Sequence, residues 1–227
     1  LQKPNTMKKR LLIGAVLLAS MKLSAQVQSL GTPISWKEKV GVSKKTIAFT
    51  GVNNEMEAAF ELTRRANSFE KNLNFGKEIE VSINFMQEAE SKTLPNGSVV
   101  RQLTLSSENA LSLNLIFSKF RLSPNATLYL FDGDKSEYIG AHTSLNNNSN
   151  NMLGTELIHD DKIVIELTEP ANEVGTSELV IGTLIHGYLD LEAEIKALND
   201  SGDCMYDVNC PIGAGWENQR NSVAMMM

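Results

Sequence analysis

The sequence has little cysteine, no excess of positive charge and a single long apolar run, and each scarcity excludes something. Only two of its 227 residues are cysteine, Cys204 and Cys210, both near the C-terminal end. They cannot staple the middle of the chain, so a fold there has to stand on its own core. The 21 Lys and Arg against 27 Asp and Glu leave a formal net charge of -6. That balance offers no electrostatic footprint for nucleic acid, which wants a basic patch, and serves to keep the protein soluble. Catalytic signatures are also scarce. None of the three histidines, His142, His159 and His186, has a neighbour at metal-ligand spacing, and there is no GxSxG elbow and no phosphate-binding glycine loop. No cofactor and no metal is expected.

What is present begins with a leader. Lys8-Lys9-Arg10 is a compact positive region, Leu11 to Ala19 is an uninterrupted apolar run, and Ser24-Ala25-Gln26 offers a small residue before a cut. Together they read as a secretory signal peptide, residues 1–25, processed after Ala25. A spanning helix needs roughly 20 apolar residues, and this run is shorter. Leu1 to Thr6 precede Met7 and read as translated upstream sequence. Leu23 is larger than the cleavage pattern prefers, so the cut can slip by a position or two. An exported chain is expected, secreted or extracytoplasmic, with no membrane attachment once the leader is removed.

Residues 26–198 form the next region, with a core from about 37 to 191. Gln26 to Lys45 is polar, contains Gly31, Pro33 and Gly41, and reads as an extended lead-in in which Trp36 tucks against a core. Glu55 to Lys71 has strong helix formers and no Gly or Pro; Met56, Ala59, Phe60 and Thr63 share one face. Asn53 or Asn54 is the expected N-cap. From Glu78 the period becomes two. Ile79, Val81, Ile83 and Phe85 alternate with polar residues, and Leu111, Leu113, Leu115 and Phe117 do the same. Further strands are expected at Val99–Leu105, Leu128–Phe131, Tyr138–Ala141, Lys162–Leu167 and Leu179–Leu189, with turns at Pro95-Asn96-Gly97, Ser123-Pro124-Asn125 and Asp132-Gly133-Asp134. About seven short strands without helical crossovers between them predict a mainly β protein, an antiparallel β-sandwich with one N-terminal helix.

Each chemical candidate has a structural reading beside it. His159-Asp160-Asp161 is a surface site or, more simply, the turn before Lys162–Leu167. His186 lies in an apolar strand and reads as a satisfied core or edge residue. Asp132 and Asp134 offer clustered oxygens of the kind calcium takes, but a β-turn explains them with fewer assumptions. Asn125-Ala126-Thr127 matches a glycosylation sequon, weak evidence in a chain with a bacterial-type leader. Five residues separate Cys204 from Cys210, which is not a CxxC spacing. The two either bond to each other or form halves of bridges to cysteines beyond Met227. Asn199 to Asp203 reads as a joint, and the apolar Val223-Ala224-Met225-Met226-Met227 as a strand interrupted in the middle.

The segment Gly202 to Met227 resembles the start of the mature domain of secreted bacterial trypsin-like serine proteases of the lysyl endopeptidase type. The residues that carry the resemblance are Cys204, Cys210, Pro211, Gly213, Gly215, Trp216 and the strand-like Ser222 to Met227. The block from Asn109 to Tyr188 is more loosely similar to the propeptides of such proteases. The resemblance implies that residues 199–227 are the truncated start of a trypsin-like β-barrel. It also implies that Cys204 and Cys210 each bridge to distant cysteines of that domain. The Ser-His-Asp triad of the family would lie downstream of Met227, so no catalytic residue carries over and the chain itself is expected to be inactive. The preceding region would be a propeptide, folding aid and inhibitor, whose partner is its own downstream protease domain; protein substrates would belong to that domain. A lysine-specific enzyme would process itself at Lys196, giving a mature N-terminus at Ala197, although Lys196 is also one solvated charge among several. The competing reading is a non-catalytic extracellular binding or adhesion module.

Overall fold

The computed structural model describes residues 31–37, 45–67, 72–191 and 193. The expected leader with Ala25, the processing candidate Lys196, Cys204, Cys210 and the expected barrel start at 199–227 lie outside the described residues.

In chain order the elements are α1 (Ile34–Lys37), β1 (Thr46–Phe49), α2 (Asn54–Asn67), β2 (Gly76–Asn84), α3 (Phe85–Glu88), β3 (Glu90–Thr93), β4 (Val99–Ser107), β5 (Ser112–Arg121), β6 (Thr127–Phe131), β7 (Tyr138–His142), β8 (Leu153–Gly154), β9 (Lys162–Glu169) and β10 (Glu178–Gly187). The strands form two sheets. One runs β1-β4-β9-β6-β7, with β3 also paired to β4; the other runs β2-β10-β5-β8. Alternation explains the core between them. Leu103 and Leu105 of β4, Leu128 and Leu130 of β6, and Ile163, Ile165 and Leu167 of β9 face inward from the first sheet. Leu113, Leu115 and Phe117 of β5 and Leu179, Ile181 and Leu184 of β10 meet them from the second. Two sheets with one shared apolar layer make a sandwich, and the expected mainly β class is what the chain adopts.

Several details differ from the sequence expectation. Ten strands rather than seven are found among the described residues. β3 (ESKT) is exposed at every position and β8 is two residues long, so neither carries a burial rhythm. The sandwich is not wholly antiparallel. β1 pairs with β4 in parallel, Thr46 opposite Thr104 through Phe49 opposite Ser107. The long connection such a pair requires is supplied by α2, β2 and β3. Phe85 does not end a strand; it opens α3 and is fully buried. Leu111 lies before β5 and is half exposed. The expected turn at Pro95-Asn96-Gly97 forms, closed by Gly97 N–H to Leu94 O at 2.9 Å, with Gly97 at φ 82° where a side chain would be strained.

The lead-in is not simply extended. Residues 34–37 form one helical turn laid across the outer face of the first sheet. Trp36 packs edge-on against Phe131 at 5.6 Å and Tyr138 at 5.3 Å, beside Tyr129, Ala141 and Val164. Ile34 covers Leu94 and Val100. Underneath, the fully buried Glu166 of β9 accepts hydrogen bonds from Ile34 N (2.7 Å), Ser35 N (3.3 Å) and Gln102 Nε2 (2.7 Å). The expectation that Trp36 tucks against a core is met on this outer face.

α2 begins where the caps predict. Asn53 Oδ1 accepts from Met56 N at 3.0 Å, satisfying one of the orphan donors of the first turn. Asn53→Ala is expected to lower stability by about 1 kcal/mol, read as a shift of the urea midpoint at constant slope. The helix is described over Asn54–Asn67, and residues 68–71 of the expected span lie outside the described residues. The grouping of Met56, Ala59, Phe60 and Thr63 on one face holds, and the structure turns that face outward. Met56 is 63% and Phe60 67% exposed, whereas Glu61 is 2% exposed. The shared apolar face is thus the outward one, because polar residues on the opposite face make the bonds to the sandwich.

Candidate functional site

The strongest candidate from side-chain chemistry is a buried cluster at the N-terminus of α2. His186 of β10 and Ser107 of β4 are both fully buried. Ser107 Oγ lies 2.8 Å from His186 Nδ1, and Asn54 Oδ1 lies 2.9 Å from His186 Nε2. The proton positions follow from the amide. Asn54 Nδ2 donates to Asn109 O at 2.7 Å, so Oδ1 is the acceptor and Nε2 must carry the hydrogen. Nδ1 then accepts from the Ser107 hydroxyl, and the imidazole is neutral with every group satisfied. Burial pushes the imidazole pKa down, in the same direction. A serine, a histidine and an amide in a row resemble a nucleophile relay, but the roles are reversed. In such a relay Nε2 faces the serine and Nδ1 donates to the orienting residue. Here the serine meets Nδ1 and has no exposed surface. The cluster ties β4, β10 and α2 together, as the reading of His186 as a satisfied core residue predicts.

The other candidates are also structural. His159 lies in the turn before β9; its Nδ1 is 3.0 Å from Glu137 Oε1 and its backbone N–H donates to Glu137 Oε2 at 2.8 Å. Asp132 is buried and closes its own turn, accepting from Ser136 N (2.8 Å), Ser136 Oγ (2.5 Å) and Glu137 N (3.1 Å), while Asp134 is exposed. These bonds are what a turn asks of an aspartate. Asn125 of the sequon is exposed, and its Nδ2 donates to Glu173 Oε1 at 2.6 Å. The bond from Asn125 N, followed by that one, holds the Glu173 carboxyl below its ordinary range. His142 packs against Phe120 at 6.3 Å with a buried, unpartnered Nε2; burial lowers its pKa against an opposing pull from Glu156. Among the described residues no group of three or more His, Cys, Asp or Glu is placed to hold a metal ion. None of their helices is long and apolar enough to cross a membrane.

One surface feature is not visible in the sequence as a site. A cleft of about 410 Å³ opens between α2 and the edge of the second sheet, lined by Glu57, Phe60, Glu61, Phe75, Lys77 and Tyr188 among others. Glu61 forms its floor. Its carboxylate accepts from Arg64 Nε (2.7 Å) and Nη2 (2.8 Å) and from Asn74 N (3.0 Å). The Arg64 hydrogen bond, ahead of the opposing effect of burial, holds its pKa below the usual carboxylate range. Tyr188 donates to Asn74 O at 2.8 Å, and burial with the nearby Glu61 and Glu57 charges pushes its phenol up. Lys77 closes the rim on Glu57 at 3.1 Å. The Glu57 and Glu61 carboxylates are already paired with Lys77 and Arg64, which leaves neither poised for proton transfer.

No protein-family model matches the chain, and no curated protein is significantly similar to it. Among solved structures it is similar to PliG of Aeromonas hydrophila, a periplasmic inhibitor of g-type lysozyme, at 15% identity and a TM-score of 0.22. That match covers 62% of this chain and 95% of the other. A likeness at that level carries no argument about function.

Proposed function

We propose that the sandwich is the propeptide domain of a secreted serine endopeptidase precursor, non-catalytic itself, a folding aid and inhibitor for the domain that begins in residues 199–227. The observation that carries the reading is the junction. β10 ends at Gly187, shortly before the Cys204 to Trp216 pattern that resembles the start of a trypsin-like protease. The polar cluster of the sandwich fits this role, since Ser107, His186 and Asn54 spend their bonding capacity on structure. A catalytic barrel built on long-range strand pairing folds slowly, and a preformed sandwich in the same chain gives it a surface to fold against. Export follows from the leader. The exposed apolar face of α2 also suits a second reading, a free-standing extracellular binding module.

The test is expression of the complete precursor gene in an exporting bacterial host, with and without residues 26–198. The secreted product is assayed on a lysyl peptide anilide and its N-terminus sequenced. The expected result is peptidase activity that falls roughly tenfold or more without those residues, is restored when they are supplied in trans, and belongs to a chain starting at Ala197. Equal activity without residues 26–198 overturns the folding role. No peptidase from the complete gene leaves the binding module.

A further inference from the structure

Among the described residues, helix α2 is held to the sandwich without a buried apolar side chain. Its buried residue is Glu61. Met56, Phe60 and Leu62 are exposed, as are Ala59, Thr63 and Ala66. No residue of α2 belongs to the buried hydrophobic clusters or to the apolar residues packed against them. What holds the helix is a line of polar ties. Asn54 reaches His186 and the carbonyl of Asn109. Glu57 pairs with Lys77 at 3.1 Å. Glu61 accepts from Asn74 N at 3.0 Å, and Arg64 donates to Asn72 O. These positions recur at three or four residues and so share one side of the helix.

Such an attachment opens more easily than the sheets part. Strands β5 and β10 carry Leu113, Leu115, Phe117, Leu179, Ile181 and Leu184 into the common core, and separating them exposes all of it. Lifting α2 breaks polar ties whose groups turn to water instead. Met56 and Phe60 are in water already, so the hydrophobic effect adds little resistance from them. Segments with few buried apolar contacts are the ones that open locally.

Under the helix is an apolar floor that is fastened independently of it. Leu73, Phe75, Ile185 and Tyr188 line the cleft beside Phe60 and Glu61 of α2. Tyr188 N and Leu189 N both donate to Phe75 O, at 2.9 and 3.2 Å, and β2 is paired along β10. Ahead of the helix, Gly51 is pressed against the sandwich, where a Cβ would lie 2.5 Å from Glu108 O. The flanking chain therefore stays seated when the helix lifts.

We infer that α2 is a lid: it opens on its own while both sheets stay folded, and its opening uncovers the floor formed by Leu73, Phe75, Ile185 and Tyr188. The inference goes beyond either reading of the function and depends on neither.

Amide exchange of the full chain, followed in urea below the main transition, tests it. A detached helix of 14 residues is marginal in water, so open α2 exchanges. Its amides are expected to exchange about a hundredfold or more faster than those at the centres of β5 and β10, with little dependence on urea, because a small opening exposes little surface. Amides of α2 that follow the strand amides in rate and slope overturn the lid. Ile181→Val trims the buried core of β10; it should speed the strand amides about three- to tenfold and leave α2 unchanged. Acceleration of α2 in step with the strands overturns the inference. Asn54→Ala with Glu61→Ala should speed α2 exchange roughly tenfold or more and raise hydroxyl-radical oxidation of Phe75 and Tyr188 severalfold. Phe117, fully buried between the sheets, should keep its rate. Unchanged oxidation of Tyr188 means that α2 is not its cover, and oxidation of Phe117 rising alongside means that helix and sheets part together; either result overturns the lid.

Discussion

Glu166→Ala is expected to lower the unfolding free energy by about 3–4 kcal/mol and to free residues 31–37 from the sheet. The carboxylate sits with no exposed surface on the outer face of β9. It is surrounded by three donors: the backbone N–H groups of Ile34 and Ser35 and the amide of Gln102. Alanine removes the acceptor and strands all three, each at roughly 1–3 kcal/mol if it stays buried. Relief from holding a carboxylate out of water offsets part of that sum. Glu166→Gln separates charge from geometry. One amide oxygen still receives the Ile34 and Ser35 donors, and the Gln102 amide can rotate to present its own oxygen to the new NH2 group. A loss of only about 1 kcal/mol is expected there. The local readout is Trp36, held edge-on to Phe131 and Tyr138. In a Trp216→Phe background its emission should shift to the red in the alanine variant before the main urea transition. Equal losses for Ala and Gln, or unmoved Trp36 emission, would show that the carboxylate does not hold the segment.

That arrangement also shows what the sequence makes legible. Ile79, Val81 and Ile83, or Leu113, Leu115 and Phe117, alternate because one side of each strand meets the core, and alternation is readable. LYLF of β6 and the IVI of β9 are apolar at both parities. A strand of that kind is covered on both faces, which is the signal for the lid formed by residues 31–37. The lid's partner Glu166 is not readable, since a glutamate in a strand is ordinarily solvated. Strands β3 and β8 leave no burial rhythm because one is wholly exposed and the other spans two residues.

The helix shows a different limit. Periodicity correctly groups Met56, Ala59, Phe60 and Thr63 on one face, but it does not say which face meets the body of the protein. That choice is made by Glu61 reaching Asn74, by Asn54 reaching His186 and by Lys77 reaching Glu57. The partners of His186 are equally remote, Ser107 at a separation of 79 residues and Asn54 at 132. No local pattern joins them. A strand histidine is legible as a core residue; that its satisfaction depends on the first residue of a distant helix is not.

The His186 cluster carries the second large effect, and it is expressed in pH. The groups bonded to the imidazole are Ser107 from β4 and Asn54 from α2, with Asn109 behind Asn54. No carboxylate is bonded to it, so burial alone lowers its pKa. The unfolded chain takes up a proton near pH 6.5, and the folded chain resists until a lower pH. Between those values the unfolded state binds more protons, so stability rises with pH in that window and is lost as pH falls through it. His142, also lowered by burial, adds in the same direction. Each group contributes at most about 1.4 kcal/mol per pH unit. His186→Ala is expected to cost about 3 kcal/mol at neutral pH, from the cavity and the stranded Ser107 and Asn54 groups. It should also remove one share of the acid slope. His142→Phe should remove the other share at little cost, because it keeps the edge contact to Phe120 and discards a buried nitrogen that has no partner. Urea unfolding from about pH 8 to pH 5 decides it. Wild-type stability that stays flat below pH 6.5, or a full slope retained in His186→Ala, would mean that the imidazole is not held neutral by the fold. One share of the slope lost in each variant, with the larger neutral-pH cost in His186→Ala, would instead show that both imidazoles resist protonation and that His186 is the one that also fastens α2 to the sandwich.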